Sequence, residues 1–310
     1  VIIPQTGRLP HHGPAPPRAR LKPRGAARYH AGGQRCAQAA IKEPTLPDLV
    51  LSALYRYPVK SLRGQGLDAL DVGPRGPLAD RQWMVVDADG RFLTQRQLPR
   101  MCLVETELDA GGGLHLRAPG MPELAVAAGA GGRVAVRVWS DHVTARPAGP
   151  DADRWLSEFL DTDCRLVRFA DDVVRPVDPD YARPGDQVGF ADGFPFLLIS
   201  ESSLADLNGR LERPIEMRRF RPNLVVSGCA PHAEDGWRRI RIGQLRFRVA
   251  KPCARCIIPT IDIDTGERAD EPLRTLMTYR RRDNKILFGQ NLVHDGEGRL
   301  AVGMPVEVLD

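Results

Sequence analysis

A chain of 310 residues with 42% apolar composition can bury one large core or two modest ones, and its length favours two domains. The net charge of +5 and pI near 9.0 belong to the N-terminus: residues 1–42 hold eight Lys/Arg and no acid, and removing those eight leaves the remainder at −3. That distribution argues against nucleic-acid binding by the folded part. No run approaches the ~18 apolar residues of a membrane helix, and six scattered cysteines fit a reducing, cytoplasmic setting.

Residues 1–47 are rich in Pro, Arg, Ala and Gly and lack apolar periodicity, which predicts a disordered basic extension. Prolines at 14, 16, 17 and 23 break the amphipathic helix that a transit peptide needs, so an extension is favoured over a leader. From Leu49 the texture changes. Leu49 to Tyr57 reads as a strand ended by Pro58, and Lys60 and Ser61 follow on the turn, where an ammonium and a hydroxyl suit a phosphate. Asp80-Arg81-Gln82-Trp83 leads into a strand and then a hairpin turn at Ala88-Asp89-Gly90. Arg81 taken alone reads as an arginine paired to Asp80. Arg96 and Arg100 follow on the next segment.

Residues 101–149 alternate short strands with Gly-rich turns, the pattern of a small antiparallel barrel. Asp151 to Leu160 reads as a helix with Trp155, Leu156 and Phe159 on one face, and Cys164 to Phe169 as a strand. The Asp-, Pro- and Gly-rich stretch 170–189 predicts a mobile loop over the site. Asp192-Gly193 precedes a buried strand from Phe194 to Ser200, and Ser200 is a plausible N-cap for a helix over 201–211. Arg221-Pro222-Asn223 enters another buried strand, where a guanidinium fork and an amide can point into a pocket.

The most informative stretch runs from Arg248 to Gly266. Leu245, Phe247 and Val249 alternate with Arg246 and Arg248 as a strand, which Pro252 is expected to end. Cys253 and Cys256 follow at Cys-x-x-Cys spacing between Lys251 and Arg255, cations that favour a thiolate. A zinc site needs a second pair, yet the remaining cysteines are isolated. A redox pair needs a helix start, which the preceding Pro and following Ile residues oppose. Two small buried hydrophobes and a thiolate on a soft metal both stay open. Further on, 271–280 reads as a short helix, Arg280-Arg281-Arg282 as a basic run, and Lys285 to Asn291 as a strand.

Lys251-Pro252-Cys253-x-Arg255-Cys256 with Thr260, Asp262 and Asp264, the upstream Phe220-Arg221-Pro222-Asn223 and the downstream Phe288-Gly289-Gln290 together resemble the MOSC domain, in particular that of the amidoxime-reducing components and their bacterial relatives. The resemblance runs from about Leu49 to Leu309. It implies a mixed β-rich α+β fold: a small N-terminal β-barrel domain over 48–165, then a MOSC β-barrel domain with short flanking helices over 166–310. It also implies a molybdenum cofactor whose metal takes the Cys256 thiolate. Lys60, Ser61, Arg81, Arg221, Asn223, Thr260 and Gln290 are the implied binders of its phosphate and pterin, with Asn291 beside Gln290, and Asp192 is the expected proton donor. Pyridoxal phosphate binding also attaches to the family.

The implied activity is removal of oxygen from small N-hydroxylated substrates such as hydroxylamines, amidoximes and N-hydroxylated bases. Some bacterial relatives continue into a plant-type ferredoxin domain; none follows Asp310 here, so the expected electron donor is a separate haem or iron–sulfur protein. The alternative is a carrier of cofactor or sulfur with Cys256 as a persulfide.

Overall fold

The computed structural model describes residues 48–128 and 132–310, so the extension expected over 1–47 lies outside the described residues. Nine strands form the main sheet. From one edge its order is Val306–Val308, Arg239–Ile242, Leu245–Ala254, Lys285–Asp295, Phe196–Ser200, Leu224–Ser227, Val50–Arg56 and Gln65–Leu67, with Arg281–Arg282 beside Lys285–Asp295. Within it Phe196–Ser200 and Leu224–Ser227 pair in parallel. A four-stranded antiparallel sheet joins Trp83–Val86, Arg165–Phe169, Asp141–Pro147 and Val134–Val138. Two three-stranded sheets complete the described β structure.

Strand pairing ties the two halves of the sequence together. Val50–Arg56 lies against Leu224–Ser227, and Ala69–Gly73 pairs with Gly298–Ala301 near the C-terminus. Leu51, Leu54, Phe196, Leu198, Leu224, Val226, Ile240 and Phe247 close one core between these elements. A second core gathers around Trp83, Met101, Leu114, Trp155 and Phe159. Each fully buried Leu or Phe is worth about 1.5–3 kcal/mol, so these clusters make the sheet ends a rigid frame.

Three α-helices occur among the described residues. The first, α1 (Pro150–Leu160), buries Trp155, Leu156 and Phe159 as the spacing predicts, and Asp161 ends it in the left-handed region. The second, α2 (Glu201–Asn208), is capped by Ser200, whose Oγ accepts from the Ser203 amide at 3.1 Å; it stops three residues short of the expected end. The third, α3, is Leu273–Tyr279.

Two local expectations fail. Pro252 does not end its strand: Leu245–Ala254 runs through it, with register shifts between Val249 and Lys251 and again between Pro252 and Ala254. A bulged strand tolerates a residue with no amide to donate. The 170–189 stretch does not overhang the cavity. Val177 and Val188 are buried, Pro176 bridges Gln187, and the buried Arg175 guanidinium donates to Gly189 O at 2.8 Å and Ala191 O at 2.6 Å.

Candidate functional site

The sheet ends leave a cavity of about 170 Å³. Its lining comes from six stretches far apart in sequence: Lys60 and Ser61; Arg81; Thr94 and Arg96; Ala191 to Leu197; Phe220, Arg221 and Asn223; and Cys253 to Ile258, with Asn291 beside them. Lys60, Ser61, Arg81, Asp192, Arg221, Asn223 and Cys256 are thus brought together, as the sequence reading expected of a single pocket.

Local backbone explains how the basic side faces inward. Ser61, Arg81 and Arg221 have φ of 68°, 44° and 58°, left-handed values that non-glycine residues avoid. Each such position costs of order 1–3 kcal/mol and persists where surrounding contacts over-determine it. Here the contacts are visible. The Arg81 amide donates to Tyr57 O at 2.6 Å and its carbonyl accepts from Phe190 N at 2.9 Å. Arg81 and Arg221 sandwich the buried Tyr57 ring, their guanidinium carbons 4.2 and 4.3 Å from its centroid.

The polar network sorts anchors from free donors. Arg81 Nη1 donates to Asp80 Oδ2 at 2.6 Å and Asn223 Oδ1 at 3.1 Å, while Asn223 Nδ2 donates to Asp80 Oδ1 at 3.1 Å. The pairing of Arg81 with Asp80, which the sequence offered as the bland reading, therefore coexists with a place in the cavity wall. Arg221 differs. Its Nη1 donates to Leu62 O at 2.7 Å, but its buried Nη2 has no partner, and no carboxylate pairs with it among the described residues. Burial, with the neighbouring Arg81 charge, pushes its pKa down to about 10. An unsatisfied buried donor costs about 1–3 kcal/mol, a cost this guanidinium bears while it lines the cavity wall.

Asp192 corrects the sequence reading. Its carboxylate pairs with the Lys60 ammonium and lies 3.5 Å from Arg96 Nη2. Burial alone would raise its pKa; the Lys60 and Arg96 cations outweigh burial and hold it well below the usual carboxylate range. The ion pair with Lys60 favours the carboxylate form and makes Asp192 the partner that holds that ammonium. Lys60 is itself pulled down by burial and donates also to Phe190 O at 2.8 Å.

Two further assignments move. Gln290 is buried away from the cavity and donates from Nε2 to Asp235 Oδ1 at 2.7 Å; its neighbour Asn291 lines the cavity instead. Thr260 sits buried in a 3₁₀ turn, Ile258–Thr260, with Oγ1 donating to Ile257 O at 2.7 Å, and it too is absent from the lining. Arg100 packs over Phe159, 4.6 Å from the ring centroid, while Arg96 reaches the cavity.

Both cysteines line the cavity, each half-buried. Arg255 Nη1 donates to Cys253 Sγ at 3.1 Å and its Nη2 to Phe220 O at 2.7 Å. Among the described residues no three His, Cys, Asp or Glu side chains gather into a metal cluster, so the arrangement is two cysteines among cations rather than a zinc cage. The lining holds five cations (Lys60, Arg81, Arg96, Arg221, Arg255) against the single carboxylate of Asp192. That donor set fits a polyanionic ligand with one soft-metal contact. No described helix is long and apolar enough to cross a membrane.

Comparison with known proteins agrees with this chemistry. Residues 49–163 match the MOSC N-terminal beta barrel domain, and residues 185–307 match the MOSC domain. The human mitochondrial amidoxime-reducing component 1 is 38% identical over 280 residues, covering 84% of this chain and 82% of that protein. The bovine mitochondrial amidoxime reducing component 2 is 36% identical over 281 residues, with 83% and 82% covered. The Arabidopsis thaliana molybdenum cofactor sulfurase is 32% identical over 283 residues, covering 81% of this chain but 34% of that longer protein.

Proposed function

From the premise that this chain belongs to the MOSC family of the amidoxime-reducing components, with its N-terminal β-barrel and MOSC domains, we propose that it is a molybdenum-cofactor-dependent reductase. Its substrates are small N-hydroxylated compounds, and its electrons come from a separate haem or iron–sulfur protein. The observation that carries this reading is the cavity itself, whose lining brings five cations and the two cysteines Cys253 and Cys256 together.

When bound, the cofactor supplies the two-electron chemistry that takes oxygen from an N–O bond. The chain does the rest. Lys60, Ser61, Arg81, Arg96 and Arg221 neutralise the anionic end of the cofactor, and Cys256 offers the thiolate to the metal. Asn223 holds Arg81 in place through its amide oxygen. Asp192 is a positioning residue: it orients the Lys60 ammonium and keeps it charged against the pull of burial.

Elemental analysis of protein from a cofactor-competent host tests the proposal, together with turnover of an amidoxime under an artificial reductant. Stoichiometric molybdenum with amidine formation is expected. Sulfane sulfur on Cys256 without molybdenum would instead support a sulfur carrier.

A further inference from the structure

Trp139 sits outside every role assigned above. It is the first residue of a two-residue turn joining Val134–Val138 to Asp141–Pro147, with Val138 paired to Asp141. Its φ of 55° is a value such turns give to glycine. A bulky aromatic is nevertheless held there, and 48% of its surface stays exposed. The ring is fixed rather than loose. Phe92 meets it at a steep angle with centroids 4.9 Å apart, and Arg96, which also lines the cavity, lies over it 4.9 Å from its centroid.

Beside the indole lies an open hollow of about 540 Å³, walled by Phe92, Leu93, Trp139, Arg91 and Arg137. Arg91 and Arg137 are bridged backbone neighbours, and like charges placed directly opposite repel. Asp89 answers Arg91 at 2.8 Å. Asp87 also borders the hollow, but its Oδ1 is taken by the Asp89 and Arg91 amides. Arg137 has no acidic partner among the described residues. One half-exposed indole and one unanswered guanidinium therefore share a hollow that borders the cavity through Arg96, which packs on Trp139 and lines the cavity.

We propose that this hollow binds a flat aromatic ring carrying a single anionic group, a phosphate or a carboxylate, with the ring against Trp139 and the anion at Arg137. In its functional part the inference rests on the reductase reading: such a ring would be the body of an aryl or heteroaryl N-hydroxylated substrate whose N–O end reaches the cavity.

Tryptophan fluorescence of the full chain, titrated with adenosine monophosphate, benzoate, adenosine and inorganic phosphate, tests it without needing the metal. Saturable quenching by the nucleotide, by benzoate or by both is expected, and which of them quenches tells phosphate from carboxylate. Neutral adenosine should bind at least about fivefold more weakly than the nucleotide. Trp139→Phe should abolish the quenching, and Arg137→Gln should bring nucleotide and nucleoside to equal affinity. Equal affinities in the unaltered chain, quenching that survives Trp139→Phe, or inorganic phosphate acting as strongly as the nucleotide would each overturn it. Failure here with molybdenum present leaves the reductase reading standing; absent molybdenum with quenching intact removes the reductase reading and leaves the binding site.

Discussion

On one side of the cavity Lys60, Ser61, Arg81 and Arg221 stand on turns, three of them with left-handed backbone; on the other, Cys253 and Cys256 stand where the strand Leu245–Ala254 runs out. The basic side concentrates charge that burial disfavours and keeps it there by strain, cation–π contacts with Tyr57 and the Asp80–Asn223 network. The cysteine side needs little of this. Its backbone is paired to Lys285–Asp295 up to Ala254, and Arg255 N donates to Ile286 O at 2.8 Å. The contrast teaches that the two walls are selected differently, one for holding a polyanion and the other for presenting a sulfur.

The sharpest way to break that contrast lies within the cysteine wall. Both thiols line the cavity, and family resemblance, not distance, chooses Cys256. Cys256→Ala should abolish molybdenum binding, while Cys253→Ala, whose sulfur accepts from Arg255, should keep most of the metal. Elemental analysis of the two variants decides it; metal retained in the first and lost in the second would exchange their roles.

On the basic wall the expected effect is smaller and has two signs. Ser61→Gly removes a hydroxyl from the cavity but relieves a φ of 68°. The thermal midpoint of the cofactor-free protein should rise, with a gain of about 1 kcal/mol, while cofactor occupancy falls. A variant that loses stability and occupancy together would show that Ser61 is structural rather than strained for binding.

Much of this was legible in the sequence, and the failures have physical causes. The cysteine stretch, the Lys60-Ser61 turn and the Arg221-Pro222-Asn223 entry announced themselves because each is local. So did α1 and the Ser200 cap, whose signals lie within a few residues. Asp192 was misread because its pKa is set by Lys60, 132 residues away, and by Arg96 and Trp139 on other elements. Pro252 was misread because a bulge is a property of two strands, not one. Trp139 fell among the short strands expected over 101–149, and nothing local marks a left-handed tryptophan.

Asp192 allows the pH dependence to be worked out. Its folded-state pKa lies below the ordinary carboxylate value, so the folded form binds fewer protons than the unfolded form in the acid range. The stabilisation is therefore present at neutral pH and is lost as pH falls through the folded value. Half of the side chain remains solvent-exposed, which limits the pair to about 1 kcal/mol. Asp192→Asn should lower the thermal midpoint at pH 7 and by progressively less in strong acid. A deficit that stayed constant with pH would assign the loss to packing rather than charge.

The smallest change in occupancy concerns which face of the strand Lys285–Asp295 meets the cavity. Its burial does not alternate, because both faces are covered, and the shifts opposite Lys251 and Ala254 break any period-two count from the cysteines. Asn291 thus faces the cavity, whereas Gln290 points to Asp235, which also receives Arg280 Nη2 at 2.6 Å. Asn291→Ala should lower cofactor occupancy modestly, by about twofold, with little change in stability. Gln290→Ala should do the reverse, costing about 1–2 kcal/mol through an unpaired Asp235 oxygen and a small void while molybdenum stays in place. If Gln290→Ala emptied the site and Asn291→Ala did not, the strand would present its other face and the basic and cysteine walls would meet differently from the arrangement described.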